Sequence, residues 1–284
     1  MTNSVTLLGV KGGPSVRPGS HLPTATLVSL AGKTILVDAG LGVSRSLCDA
    51  GVDLTRIDAV FITHMHSDHY LELGPLFHTA WTTGRTAPYP VLGPKALAPY
   101  WTHFCAAMDA DVAMRIEDEG REDFAPLMAL APLSDGMTHQ VGDVAVKVLK
   151  VDHPPIDEAY ALRFDAPGAS VVLSGDTAYF PPMVEFARGA DLLVHEAMLT
   201  DGVDAVIARN ANGDERLRQH ILRSHTSAQD VGRIATDAAI GRLAINHLVP
   251  DGLPGFGRPQ WEAAIRETWT GPFDIGHDGL RIEL

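Results

Sequence analysis

The sequence predicts an α/β fold of two β-sheets with helices on their outer faces, in one domain spanning residues 1–284. Three observations carry this reading. The first half is rich in short apolar runs separated by glycine turns. The second half alternates apolar runs with helical patterns. No linker-like stretch, internal repeat or low-complexity tract divides the two.

The elements follow in order. Val5–Val10 is an apolar run, as expected of a strand. A Gly/Pro-rich loop from Lys11-Gly12-Gly13-Pro14 to Pro18-Gly19 leads to two further strands, Thr24–Leu30 and Lys33–Val37, joined by a hairpin-like Ala31-Gly32. Ile57–Thr63 reads as a buried strand. Residues 70–82 and 94–108 read as helices, with Pro88, Pro90 and Pro94 punctuating the gap. Residues 111–140 are mixed, and Glu117-Asp118-Glu119 reads as a solvated turn. Val144–Val151, Ala159–Phe164, Ser170–Leu173, Asp191–His195 and Arg242–Asn246 are expected strands. Helices are expected at Met183–Arg188 and between 203 and 240, the first of the latter broken by Asn212-Gly213. Trp261, Ile265 and Trp269 form a helical stripe that belongs to a core.

Composition narrows the function. The 284 residues are 45% hydrophobic and 20% charged, an ordinary globular balance that excludes a disordered or fibrous chain. Acidic residues outnumber basic ones 35 to 22, for a net charge of −13. Such a balance argues against a nucleic-acid partner, because a polyanion calls for clustered Lys and Arg. The best basic cluster, Arg209, Arg216, Arg218 and Arg223, alternates with Asp214 and Glu215. It reads as an exposed helix face or as an anchor for a small anionic substrate. Cys48 and Cys105 cannot make a disulfide framework and read as buried small hydrophobes. The N-terminus lacks the basic and apolar regions of a signal peptide, and no stretch approaches the roughly 18 apolar residues of a membrane span. A cytoplasmic protein without a membrane partner is expected. Histidine stands out, with 13 residues.

Four candidate metal ligands crowd into Thr63-His64-Met65-His66-Ser67-Asp68-His69, just past an apolar strand. While the chain stays extended, His64 and His66 point the same way. Asp68 then falls at the start of a helix, where a carboxylate is favoured. One ion cannot easily use all four groups from so tight a turn, whereas two adjacent ions can. Further ligands must come from elsewhere, since catalytic zinc takes three protein ligands and keeps one position open. His153, Asp176 and His247 each stand at the end of an expected strand.

This pattern resembles the metallo-β-lactamase superfamily, whose motif is His-x-His-x-Asp-His followed by distant His, Asp and His. The order is complete here, with gaps of 84, 23 and 71 positions, and Asp38-Ala39-Gly40 is similar to the family's Asp-x-Gly turn. The resemblance implies a four-layer αβ/βα sandwich. It implies two divalent ions, zinc in the first place with manganese or iron as alternatives. His64, His66 and His153 would hold one, Asp68, His69 and His247 the other, and Asp176 would bridge them. Gly12-Gly13-Pro14, His195-Glu196-Ala197-Met198 and Ser224-His225-Thr226-Ser227 resemble the ribonuclease Z branch. In that branch a Glu and a His pair, so Glu196 would orient His225, and His225 would protonate the leaving group. A homodimer is also implied. Two features depart from that branch. Only 22 residues separate His153 from Asp176, too few for its long basic arm, and the chain is acidic.

The expected activity is hydrolysis of an ester-type bond by a metal-bound hydroxide, with Asp68 orienting the attack as well as binding metal. A small carboxylic ester or lactone is the first expectation. A phosphodiesterase or ribonuclease Z-like tRNA endonuclease is the alternative, and an aryl or alkyl sulfatase a further one. A helical cap at about 81–140, carrying Trp81, Tyr100, Trp101, Phe104 and Met108, is expected to give the site an apolar pocket or to bury a dimer interface, with Tyr179 facing the pocket.

Overall fold

The computed structural model describes residues 2–210 and 213–284. Of the expected Asn212-Gly213 break, Asn212 lies outside the described residues. Among these residues the strands form two seven-stranded sheets. The first contains β1 (Ser4–Gly9), β2 (Ala25–Leu30), β3 (Lys33–Val37), β4 (Ala59–Phe61), β5 (Tyr89–Gly93), β6 (Met128–Pro132) and β14 (Leu280–Glu283), in the order β14-β1-β2-β3-β4-β5-β6. The second contains β7 (Thr138–Val141), β8 (Val144–Lys150), β9 (Tyr160–Ala166), β10 (Ala169–Leu173), β11 (Leu192–Met198), β12 (Arg242–Val249) and β13 (Phe273–Ile275), in the order β13-β12-β11-β10-β9-β8-β7. Each sheet is antiparallel on one side and parallel on the other: pairing turns parallel at β3–β4 in the first and at β10–β11 in the second.

Alternation along the strands builds the layers. Ile35, Val37, Ala59 and Phe61 face the second sheet and pack with Val146, Phe164 and Val171. Phe61 meets Phe164 edge-on, with ring centroids 6.0 Å apart. Their neighbours Leu36 and Val60 face outward, into a core shared with α1 (Val43–Asp49), α3 (Leu73–Thr82) and α4 (Leu97–Glu119). On the far side, α5 (Pro182–Ala187), α8 (Ala228–Asp237) and α9 (Arg258–Arg266) cover the second sheet, and Trp261, Ile265 and Trp269 are buried there. The result is the expected αβ/βα sandwich.

Several local expectations change. The Pro88–Pro90 gap contains β5, and Pro90 sits in the strand with its side chain exposed. The second helix runs to Glu119, so Glu117-Asp118-Glu119 is its last turn. Arg115 ties that turn by pairing with Asp111 at 3.0 Å and Glu119 at 2.8 Å, and Gly120 ends it in the left-handed region at φ 68°. Residues 81–140 hold α4 together with β5, β6 and β7, so the segment expected as a helical cap also contributes two strands of the first sheet. Cys48 is exposed and Cys105 half-buried, contrary to the buried reading. No described helix is long and apolar enough to cross a membrane.

Candidate metal centre

The candidate ligands stand beyond the carboxyl ends of β4, β8 and β10 and near the carboxyl end of β12, the edge at which α/β sheets commonly bind ligands. His64 and His66 follow β4 in extended chain, and α2 (Ser67–Tyr70) begins at once, with Asp68 in its first turn. Gly40 lets these segments meet, because any side chain there would run into the carbonyl of Asp68. His247 arrives by a different device. Glu196 pairs with Asn246 and Ala197 with Leu248, so His247 is an extra residue bulged out of the ladder, with φ 42°. The bulge turns its ring into the site.

Two donor groups result. His64 Nε2 and His153 Nε2 each lie 3.0 Å from His66 Nδ1. Asp176 Oδ2 stands 3.7 Å from His64 Nε2 and 3.9 Å from His153 Nε2. The same oxygen is 3.4 Å from His69 Nε2 and 3.0 Å from His247 Nε2. Asp68 Oδ2 is 3.2 Å from His247 Nε2 and 3.7 Å from His69 Nε2. Asp176 is therefore shared between His64-His66-His153 and Asp68-His69-His247. All seven expected ligands converge on one place.

The residues fit divalent cations. Their donors are imidazole nitrogens and carboxylate oxygens within 4.8 Å of one another in each group, and His69 Nε2 is buried with no hydrogen-bond partner. Burial pushes His66 down to about 4, so its ring is neutral, the form that ligates a metal; burial lowers His64 and His153 as well. On the other side burial again opposes charge, but Asp176 and its neighbouring carboxylates outweigh it. They raise His69 well above its ordinary value and His247 to about 10. That half of the site draws positive charge inward, as a cation site does.

Surrounding groups fix the rings. His69 Nδ1 bonds Asp38 Oδ2 at 2.7 Å, and Asp38 accepts from the Thr63 amide at 2.8 Å and the Thr63 hydroxyl at 2.9 Å. His153 Nδ1 donates to Ser224 O at 2.8 Å. The Gly13 amide donates to Asp68 Oδ2 at 2.7 Å. Holding the far nitrogen of a ligating imidazole sets its tautomer and aim.

Glu196, on β11, and His225, between α7 (Glu215–Ser224) and α8, form the expected pair, with His225 Nδ1 3.3 Å from Glu196 Oε1. Glu196 Oε1 also accepts from the Thr226 amide at 3.0 Å and the Thr177 amide at 3.2 Å. Ser227 caps α8 through the Asp230 amide, which makes His225 the residue that the two helices present to the site. Its ring stacks on His247 at 5.3 Å, and one of its nitrogens lies within 4.8 Å of the Asp176 and His247 donors. His195 is buried beside the pair and bonds Glu196 O at 2.7 Å.

A cavity of about 370 Å³ opens on His66, Asp68, Asp176, His225 and His247. Its walls come from the first loop and from α6 (Val203–Arg209) and α7, not from residues 81–140. The aromatic residues of that segment pack together instead: Phe124 lies 5.5 Å from Trp81, 5.0 Å from Trp101 and 6.3 Å from Phe104. Tyr179 is 42% exposed and lines no part of the cavity. His220, 5.8 Å from His66, and Lys11, which is buried, do line it. Sequence reasoning missed both. Burial lowers Lys11 to about 8.

Comparison with known proteins agrees with this geometry. A family model described as anti-Pycsar protein Apyc1 matches residues 4–241. The ribonuclease Z of Mycobacterium marinum is 32% identical over 283 residues, covering 99% of this chain and 98% of that protein. A ribonuclease Z of Mycobacterium bovis gives the same identity and coverage. Among solved structures, the metallo-beta-lactamase fold protein YhfI of Bacillus subtilis aligns over the whole of both chains with a TM-score of 0.73 and 23% identity. The short form of human tRNase Z aligns over 99% of this chain and 98% of its own, with a TM-score of 0.68 and 18% identity. The two structures establish the fold. Two facing sheets with a histidine–aspartate cluster at their shared edge define a metallo-hydrolase of the metallo-β-lactamase fold. Within that class, the chain belongs to the family of anti-Pycsar protein Apyc1, in the ribonuclease Z-like branch.

Proposed function

We propose that this protein is a metal-dependent phosphodiesterase that holds two divalent ions, zinc, manganese or iron, and cleaves a small phosphodiester. His64, His66 and His153 would hold one ion, Asp68, His69 and His247 the other, with Asp176 between them. Bound there, the ions supply an activated water and an electrophile for the phosphoryl oxygen. The chain's residues do the rest. Asp68 orients the attacking water as well as binding metal. His225 gives its proton from Nε2 to the leaving oxygen as the P–O bond breaks, because its Nδ1 is held by Glu196 Oε1. Glu196 is a positioning residue. The observation that carries the reading is this Glu196–His225 pair, whose His225 lines the cavity that ends on the donor cluster.

Phosphodiester replaces carboxylic ester or lactone as the preferred substrate. The apolar segment that favoured an ester lies away from the cavity, while Lys11, Arg17 and Arg209 line it. The ribonuclease Z relatives match along the whole chain, so the acidic balance alone does not remove RNA as a substrate. A small substrate is supported by the cavity's size and by the 22 residues between His153 and Asp176, which carry the compact β9–β10 hairpin. The homodimer and the single hydrolase domain are part of the same reading, and light scattering checks the first.

The test is a hydrolysis panel on zinc- or manganese-supplemented protein: bis(p-nitrophenyl) phosphate, precursor tRNA, p-nitrophenyl esters, lactones and aryl sulfates. Phosphodiester turnover that is lost with chelator and with His66→Ala is expected. Turnover of esters, lactones or sulfates without phosphodiester turnover overturns the proposal, and cleavage of precursor tRNA alone would make the substrate RNA.

A further inference from the structure

The cavity has a second wall, formed by the first loop and the end of α6, and three cations line it: Lys11, Arg17 and Arg209. In a chain of net charge −13 this gathering runs against the average. Among the described residues none of the three has a carboxylate within salt-bridge distance. Arg216 and Arg218 on the neighbouring α7 do, at 2.7 Å from Asp214 and 2.8 Å from Asp204. The cavity cations are held by neutral groups instead. Lys11 is 3% exposed and directs two of its three N–H groups to Gly12 O at 2.7 Å and Gly13 O at 2.8 Å. Arg17 donates to Ser15 O at 3.3 Å and Asn210 Oδ1 at 2.9 Å. Arg209 donates to Asp251 O at 3.2 Å, and its Nε is buried without a partner. Asp251 shares the wall, but its carboxylate accepts from His21 Nδ1 at 2.6 Å and the His21 amide at 3.1 Å.

Carbonyl oxygens hold these cations in place without cancelling their charge, and the buried charge of Lys11 is costly until an anion meets it. With its ions bound, the donor cluster would meet the negative charge of one phosphate. The opposite wall sets three cations against the one carboxylate of Asp251, itself paired with His21, and faces the same cavity. We propose that Lys11, Arg17 and Arg209 form a second anion subsite, which takes a further phosphate carried by the substrate beside the one that reacts. The proposal rests on the phosphodiesterase reading for the identity of the substrate. Two sources share this chemistry: a neighbouring phosphate of a short RNA strand, and a second phosphate on a small molecule.

Calorimetry on the metal-loaded protein tests it. A nucleoside bisphosphate, phosphorylated at both ends of the ribose, is compared with the two corresponding monophosphates. None of them contains a phosphodiester, so binding is read without turnover. The bisphosphate is expected to bind about tenfold tighter than either monophosphate. The gain shrinks as salt rises and disappears with Arg17→Ala combined with Arg209→Ala. These two side chains are less buried than Lys11, so the double variant is the one expected to keep its fold, which circular dichroism checks. Equal binding of the three ligands, or a gain that survives both substitutions, overturns the subsite. Turnover of a dinucleotide with and without a terminal phosphate separates the sources: a preference for the phosphorylated form assigns the subsite to a strand, and its absence alongside the bisphosphate gain assigns it to a small molecule. If bis(p-nitrophenyl) phosphate is not hydrolysed while the gain persists, the phosphodiesterase reading falls and the subsite stands.

Discussion

His247 and Asp38 both occupy the left-handed region, at φ 42° and φ 62°, where residues other than glycine are uncommon. Each is held there by its surroundings. Asp38 is 3% exposed, and its carboxylate gathers Thr63 and His69 into one network. Asp38→Asn keeps the shape but removes the charge that fixes His69, so metal affinity should fall about tenfold or more, read by competition with a chelating dye. Unchanged affinity would mean that His69 is aimed by packing alone. The donor residues themselves are legible in the sequence, because four ligand types within six positions after an apolar run have few other uses. The bulge at His247 is not legible, since a ladder's register depends on the partner strand, which spacing along one chain does not reveal.

At the level of elements, α3 and α4 grip the segment that follows them. Trp81 Nε1 donates to Glu122 O at 3.0 Å and Trp101 Nε1 to Ala125 O at 2.9 Å, around the buried Phe124. Phe124→Ala should cost about 3–5 kcal/mol of stability. Activity per folded molecule should persist, because this cluster lies away from the cavity; denaturant unfolding and kinetics on one sample check both. The first loop has its own tether. The hydrogen bond to Asp251 raises His21, and although burial pushes Asp251 up, that bond wins and lowers it. The His21 contribution is full below about pH 6.5 and fades as pH rises through the raised value; the Asp251 contribution is full above about pH 4 and fades below it. His21→Ala should therefore lower Tm more at about pH 6 than at about pH 9, and an equal loss at both would remove the ionic part of this contact. The end of α4 escaped sequence reading because three adjacent acids look like a turn until Arg115 and Arg121 are seen to offset them. The strand at Pro90 escaped because proline disfavours a strand and only neighbours on both sides reveal one.

Across the whole molecule, the apolar alternation that builds the two sheets was readable, and so was the sandwich. The cavity was not, because α6 and α7 reach it by folding over the sheet edge, while the more apolar 81–140 segment turns inward. Asp38, Asp68 and Asp176 lie buried around one point, so removing the cations leaves His69 and His247 alone to offset three buried carboxylates. Exhaustive chelation should lower Tm by roughly 10 °C, and added zinc or manganese should restore it, as calorimetry with and without metal would show. A Tm indifferent to metal would mean that the cluster binds none with useful affinity.

The candidate ligands run from His64 to His247, and β14 must return to lie beside β1 near the chain's beginning. During synthesis the two donor groups are therefore completed in turn, the first when Asp176 has emerged and the second when His247 has. Meanwhile β1 presents an unpaired edge until residues 280–283 emerge. Full metal loading waits for residue 247 and closure of the first sheet for residue 283, so a ribosome stalled before those points carries a chain with a bare strand edge and an incomplete metal cage.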